Sequence, residues 1–447
     1  NATAAVKFKT DRGPLYRVAT ILVTGSQRVR DDAVLKAIPF GIRDPASEAD
    51  RRLSRERLQQ TNVFRRINVN WVLKDASVQR AVALIELEDR NGGEIEAGIL
   101  LTTDEGVGFD LRFDHRRLFG TFRELRIEWV QTVRPDNLFS SDLFQEEPFR
   151  LRGNVRYRDP LPWQIPIFAQ GQALAELNRN DPDFQWLALT NFLGLGHQRL
   201  NQLDTTWGYQ YEWFRRFDAK LPGITPNSTD QIGSLRANLL WRSTNPSVRD
   251  VKKGWSTFHE LQGAASELGG GKQFVRYSGF LRGLTTMLGR IQFWGSFRGG
   301  FLALDNNADV PRFKRFRLGG SGSVRGYERD ALSPLVKDLG PDTDPIAVGA
   351  QHFVGYQMET RLGITKNVSI VGFHDQAWTR GFSEDLLRFN ITDRNQFNQN
   401  VRGASVGGGV MYRTPIGKLR VDYGQKMIQI ATDTAPGRLH FYISNSF

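Results

Sequence analysis

Any chemistry in this chain must come from a short list of side chains. There is no cysteine among the 447 residues, which removes disulfides, thiolate nucleophiles and thiolate metal sites together. The six histidines, His115, His197, His259, His352, His374 and His440, are scattered with no pair at metal-ligand spacing, so no zinc site is expected. One stretch stands out, FRLGGSGSVRGYERDALSP at 316–334, where Arg325 sits between Val324 and Gly326 with Tyr327 next. A phosphate-cradling loop needs its glycines between a buried strand and a helix, usually with a Lys-Ser/Thr pair, and GGSGSVRGY has neither the spacing nor the helix. A nucleophile turn needs G-x-S-x-G, and around Ser321 the last position is Ser323. No nucleotide, metal or redox cofactor is implied, and no residue set supports an enzyme. Two readings of the stretch remain: a disordered glycine loop, or a segment held in place by structure elsewhere in the chain.

Composition narrows the setting. There are 60 Lys and Arg against 48 Asp and Glu, a formal charge of +12, and the mean hydropathy is −0.42. The basic excess has no dense block and reads as mostly solvated surface, without nucleic acid as a partner. No apolar run reaches helix-spanning length, which excludes a helical membrane protein but not a membrane β-barrel, whose alternating strands average out. The 44 Gly, 30 Phe, 10 Trp and 10 Tyr suit strands, turns and aromatic girdles. The start, NATAAVKFK, reads as mature or trimmed, with no signal peptide.

The chain changes character near residue 92. Residues 1–15 are a lead-in or the end of a preceding domain, and 16–92 read as a small α/β domain. YRVATILVTG gives a strand stopping at Gly25, and RDDAVLKAI a short helix with Asp31 or Asp32 as cap. SEADRRLSRERLQQTN gives a second helix, capped by Ser47, with Ala49, Leu53 and Leu58 at helical spacing. VFRRINVNWVL and RAVALIELED alternate as two further strands.

From 93 to 447 the helical period is gone. About sixteen segments of roughly ten residues alternate, the length a tilted strand needs to cross a bilayer. A soluble sandwich would show similar alternation, but three features favour a membrane barrel: long strands, an even count, and short connections alternating with long ones. LFGTF, LGLGH, TK and TPIG read as tight turns, and the regions near 134–146, 217–230, 302–346 and 379–400 as long polar loops. Tight turns then face the periplasm and long loops the outside. In the ending LHFYISNSF, Leu439, Phe441, Ile443 and the terminal Phe447 share one face, like the terminal recognition signal of bacterial outer-membrane proteins. The fold class is mainly β, a 16-stranded transmembrane antiparallel barrel preceded by one α/β domain of β-α-α-β-β order.

These pieces together resemble a known family. The order β-α-α-β-β with TNVFRRINVNW is similar to a POTRA domain, the periplasmic polypeptide-transport module. LGGSGSVRGY, with Gly319, Gly320, Val324, Arg325, Gly326 and Tyr327, resembles the V-R-G-F/Y motif of loop six in the outer-membrane insertase and translocase superfamily. These are the POTRA-plus-barrel proteins of Bam, Tam and two-partner-secretion type. RLFGTF and TPIGKLRVDYG resemble further segments of that family, while GPLYRVATILVTGS and DPLPW lean towards the Tam type. The resemblance spans essentially the whole chain. It implies that loop six, at 302–346, folds back into the barrel, where Arg325 pairs with Glu359 and Asp375 on the twelfth and thirteenth strands. Asp422 is a third, weaker candidate. The physics agrees: a long loop ordered inside a lumen needs an anchor, and a guanidinium fork can grip carboxylates bidentately. Three positions depart from the family pattern: Ala377 and Lys418, where glycine and proline are usual, and Ser444, where a glycine usually kinks the last strand at its seam with the first.

The resemblance implies a non-covalent function, assisting β-rich outer-membrane or secreted polypeptides to insert into or cross the outer membrane. The POTRA edge would receive clients by β-augmentation, and the first-to-last strand seam would template them. Expected partners are unfolded polypeptide clients, the lipid bilayer with lipopolysaccharide, and a periplasm-spanning accessory protein. The alternatives are a polypeptide-secreting pore of two-partner or autotransporter type, and a passive porin.

Overall fold

The computed structural model describes residues 15–444 except 76–78, 134–148, 161–166, 180–183, 200–201, 220–227, 244–252, 305–310, 337–345, 383–396, 399, 415–416 and 431–432. Two compact units emerge, one of residues 1–93 with 115–124 and 159–166, the other of the remaining chain.

The first unit runs β1 (Arg17–Thr24), α1 (Asp31–Ala37), α2 (Glu48–Gln60), β2 (Phe64–Asp75) and β3 (Arg80–Asp89). Its sheet has the order β1-β3-β2, with β1 parallel and β2 antiparallel to β3. The core gathers Val18, Val34, Leu58, Val63, Ala83 and Ile85. Ser47 caps α2, its hydroxyl accepting from the Ala49 N–H at 3.1 Å. The inward face of α2 is turned relative to the expected one: Ser54 and Leu58 are buried, while Ala49 and Leu53 are exposed. Ser54 can be buried because its hydroxyl donates to the Asp50 carbonyl one turn back, at 2.7 Å. In α1 the N-cap is Arg30 without a side-chain bond, so neither Asp31 nor Asp32 caps the helix. Both lie in its first turn, where the helix dipole favours acids.

The second unit is a closed antiparallel ring of sixteen strands. They are β4 (Gly93–Thr102), β5 (Gly106–Leu118), β6 (Arg123–Val133), β7 (Phe149–Pro160), β8 (Ile167–Asn178), β9 (Phe184–Arg199), β10 (Leu203–Ala219) and β11 (Thr229–Arg242). The ring continues with β12 (Lys253–Ala264), β13 (Phe274–Met287), β14 (Ile291–Leu304), β17 (His352–Gly363), β18 (Val368–Arg380), β20 (Asn400–Thr414), β21 (Gly417–Lys426) and β22 (Gly437–Ser444). Three two-residue strands that sequence reading did not anticipate, β15 (Leu335–Val336), β16 (Ile346–Ala347) and β19 (Phe397–Asn398), form a separate small sheet.

One expected turn is not a turn. LGLGH lies inside β9, whose Leu193, Gly194, Leu195, Gly196 and His197 pair in register with Tyr209 to Thr205 of β10, and the chain reverses after Arg199 instead. The glycines there serve strand approach. A Cβ on Gly194 would lie 2.3 Å from the Trp207 carbonyl oxygen, and one on Gly208 2.3 Å from that of Leu193.

The sorting of side chains is inverted relative to a soluble sheet protein. Val107, Phe109 and Leu111 of β5, Phe293, Phe297 and Phe301 of β14, and Val354, Met358 and Leu362 of β17 alternate outward and are exposed. The buried set of the ring is rich in Gln210, Glu212, Ser234, Gln262, Gln357, Glu359, Asp375 and Asp422. An apolar outside around a polar inside suits hydrocarbon as the outer solvent. Much of the positive charge, read from sequence as solvated surface, is inside: Arg236 and Arg276 bond to Glu260, and Arg325 and Arg420 to Glu359.

A charge at mid-height on the outer face should therefore be expensive. Phe297→Arg is expected to destabilise the barrel by about 2–4 kcal/mol in lipid vesicles, and Leu288→Arg, at the β13–β14 turn, to leave stability nearly unchanged. Urea unfolding midpoints of the two variants check this. Equal midpoints would contradict the outward assignment.

Candidate functional site

The connection from β14 to β17, loop six, begins later than expected because β14 continues through Leu304. Its described part enters the second unit's interior and carries the two largest fully buried side chains among the described residues, Arg325 and Tyr327.

Arg325 is gripped from three strands. Asp375 of β18 takes it bidentately, accepting from Nε at 2.7 Å and Nη2 at 2.7 Å, and also accepts from the Arg325 backbone N–H at 3.1 Å. Nη1 donates to Glu359 of β17 at 2.6 Å and to Asp422 of β21 at 3.0 Å. Asp422, the weaker candidate from sequence, is thus a direct partner and is fully buried. The guanidinium also lies over the Phe373 ring, 3.6 Å from its centroid. Burial opposes the charge on Arg325, but Asp375, Glu359 and Asp422 outweigh it and hold its pKa above the ordinary value.

Two further arginines complete the cluster. Arg420 of β21 donates to Glu359 at 2.8 Å and to Asp422 at 2.9 Å, and Arg361 of β17 reaches Glu359 at 2.7 Å. Arg325, Arg361 and Arg420 balance Glu359, Asp375 and Asp422, three charges of each sign. Sequence reading missed both arginines. Arg420 stands two residues before Asp422, so strand alternation alone places it on the same wall.

The neighbours of Arg325 fix the loop backbone. Gly326 has φ +97°, and a Cβ there would lie 2.8 Å from the Gly424 carbonyl oxygen, while one on Gly424 would lie 2.6 Å from the Gly326 nitrogen. Two glycines facing each other are what let the loop touch β21 backbone to backbone. The Tyr327 hydroxyl donates to the Ile428 carbonyl at 2.5 Å and accepts from the Ala404 N–H at 3.0 Å. Val324, Tyr327, Leu318 and Leu332 pack with Ala377 and Val401, so the methyl group of Ala377 is part of the loop's seat. Gly319 and Gly320 both have positive φ and form the turn leading into the motif.

The same loop reaches both sides of the seam. Only one residue pair, Tyr442 with Thr102, registers β22 against β4 among the described residues, next to a Thr103 N–H donating to the Phe441 carbonyl at 3.1 Å. Asp104, just past β4, accepts from the Ser321 N–H at 2.7 Å and hydroxyl at 2.5 Å. His440 of β22 accepts from the Gly326 N–H at 3.1 Å and meets the Thr103 hydroxyl at 3.1 Å. Sequence reading did not single out Asp104 or His440; no local motif marks either. Phe441 and Ile443 are half-buried on β22, opposite Val421 and Leu419 of β21. Ser444 ends β22 opposite Lys418, and Phe447 lies outside the described residues. No cluster of His, Asp or Glu able to hold a metal occurs among the described residues.

Comparison with known proteins gives a consistent picture. The model of the Omp85 superfamily domain matches residues 136–447. The outer membrane protein assembly factor BamA of Nitratidesulfovibrio vulgaris is 24% identical over 417 residues, covering 90% of this chain and 48% of the relative. BamA of Neisseria meningitidis serogroup B is 20% identical over 462 residues, covering 96% and 56%. The chain thus spans about half the length of these relatives. Among solved structures, BamA from Haemophilus ducreyi lacking POTRA domains 1–3 superposes with TM-score 0.76 at 15% identity, over 97% of this chain and 85% of that one. CdiB from Acinetobacter baumannii superposes with TM-score 0.63 at 12% identity, over 96% and 74%.

Removing Arg325 leaves three buried carboxylates facing two arginines. Arg325→Ala is expected to weaken the seating of residues 319–333 by about 3–5 kcal/mol, without opening the barrel, and Arg325→Lys to recover part of that by keeping charge but not the fork. Tryptic cleavage after Arg329 reads the release; an Arg325→Ala protein as resistant as the parent would remove the anchor role. Exchanging charges between positions 325 and 375 should not rescue, because a carboxylate at 325 would face Glu359 and Asp422.

Asp433, in the β21–β22 connection, supplies a pH test. Burial pushes its pKa up, but Lys426, the Glu328 N–H and Arg438 outweigh burial and hold it below the usual value. A lowered carboxylate contributes stability that is complete above the unfolded pKa, about 4, and is lost as pH falls through the folded value. A carboxyl NMR titration should place the Asp433 midpoint below about 4. A midpoint at or above that contradicts the assignment.

Proposed function

We propose a function from one established premise: this chain belongs to the Omp85 superfamily. The chain acts as an outer-membrane assembly or translocation factor, helping β-rich polypeptides to insert into or cross the membrane. The observation that carries this reading is the seam. Every β-barrel must pair its last strand with its first, and here, among the described residues, that pairing is a single register pair, while β21 and β22 share eight. Unpaired backbone is costly in hydrocarbon, so a client strand that pairs with β4 or β22 gains what the barrel leaves unmade.

The α/β unit fits as a POTRA domain facing the periplasm. Of its two sheet edges, β1 is covered by the segment at 43–46, whose Arg43 and Ala46 N–H groups donate to the Val18 and Tyr16 carbonyls. Its other edge, twelve-residue β2, pairs only with β3 among the described residues and offers its outer groups to an extended client. The work is non-covalent, and the binding partners are unfolded polypeptides, the lipid bilayer with lipopolysaccharide, and a periplasm-spanning accessory protein. A passive porin would have to pass its solutes by the seated loop six, which these contacts resist.

The test is a lock on the seam. Because 103 and 441 are a hydrogen-bonded pair, 102 and 442 are a non-hydrogen-bonded pair, whose shorter Cα separation suits a disulfide. In a chain with no cysteine, Thr102→Cys with Tyr442→Cys should fold, lose client assembly when oxidised, and regain it on reduction. An oxidised barrel that assembles clients as well as the reduced one would refute the seam as the working surface. Deleting residues 16–89 should leave an inserted, heat-resistant barrel that assembles clients poorly; full activity after the deletion would remove the client-receiving role of that unit.

A further inference from the structure

Loop six has two limbs, and Arg325 lies on only one of them. The other, residues 311–316, carries PRFKRF, a stretch that plays no part in the Arg325 cluster.

We propose that Lys314 is a second anchor, a positioning residue that fixes the first limb of loop six to β10–β13 independently of Arg325. Lys314 is buried, and its Nζ lies 2.6 Å from Glu212 Oε2 on β10 and donates to Gln262 Oε1 on β12 at 3.2 Å. Gln262 in turn donates to the Ser234 hydroxyl on β11 at 2.9 Å, so three adjacent strands contribute. Arg276 of β13 donates to the Lys314 carbonyl at 3.1 Å and to Glu260 at 3.0 Å. The flanking aromatics are seated as well. Phe313 stacks on Phe214 of β10 with centroids 3.9 Å apart, and Phe316 enters an apolar cluster with Ile232, Ala264, Phe274 and Leu302.

Three considerations make this an anchor in its own right. The strands that supply the polar contacts differ: β10, β11, β12 and β13 at Lys314, and β17, β18 and β21 at Arg325. The chemistry differs too, one site using an arginine fork among three carboxylates and the other a single ammonium on one carboxylate. Finally, a buried ammonium left without its carboxylate is strongly disfavoured, so Lys314 ties the limb to Glu212 whatever happens at Arg325. Loop six is therefore a strap fixed at both limbs, and the loss of one anchor frees one limb.

Trypsin separates the limbs, because Arg315 reports on the first and Arg329 on the second. In the full chain in lipid, Arg325→Ala should expose the bond after Arg329 while the bond after Arg315 stays at least tenfold slower to cut. Lys314→Met should give the reverse pattern, Glu212→Gln should follow Lys314→Met, and Lys314→Arg should restore protection. Only the double variant, Arg325→Ala with Lys314→Met, should release the whole loop, seen as a rise in single-channel conductance. Heat-dependent gel mobility confirms that each barrel is folded; if Lys314→Met does not fold, Glu212→Gln and Arg325→Ala carry the test. Cleavage after Arg315 in Arg325→Ala alone, or full protection of Arg315 in Glu212→Gln, would overturn the second anchor. None of these readouts uses a client, so a failure of the proposed assembly function would leave them standing.

Discussion

The placement of loop six beside the seam depends on one buried charge. Arg325 sits where water is excluded, and an isolated guanidinium there would be prohibitively unstable. Three carboxylates from three strands make it stable, and those carboxylates would themselves be untenable without Arg325, Arg361 and Arg420. The cluster is a conditional structure in which each member is favourable only because the others are present. Its energetic content is specificity more than net stabilisation, since a paired buried charge returns little beyond its desolvation cost while a broken pair loses much. That asymmetry makes the seating of residues 319–333 all-or-none.

The barrel around it follows a different logic. Fifteen of the sixteen junctions in a closed ring can be long ladders, but the last is set by where the chain happens to meet itself. Among the described residues that junction is short, and loop six spans it, bonded to Asp104 on one side and to His440 and Asp433 on the other. The contacts that seat the loop and those that border the seam therefore share residues. A change at residues 321–328 of the loop is therefore felt at that junction.

The two-sided sorting of the strands explains the composition. Among the described residues many arginines bond to carboxylates and amides of the interior, such as Arg236 to Gln210 and Glu260.

How much was legible beforehand follows from the range over which each feature is encoded. Alternation is a property of neighbouring residues, so sixteen strands, the β-α-α-β-β order and the Ser47 cap could be read from the sequence alone. The V-R-G-Y stretch was legible by its likeness to a family motif, and Glu359 and Asp375 by their place on the twelfth and thirteenth strands. LGLGH misled because glycine serves tight turns and close strand approach alike, and only the partner strand, with Gly208 opposite Gly194, distinguishes them. Leu53 misled because an apolar residue marks a helix face only when the rest of the face agrees, and a hydroxyl that bonds its own backbone, as in Ser54, can take the inner place. Asp422 rose to a full partner, and Arg420, His440, Asp104 and Lys314 emerged, because each meets a partner tens to hundreds of residues away. Local pattern decides which way a side chain points along its own strand. What it points at is decided by the stagger of sixteen strands and the path of one loop, and that only the closed ring determines.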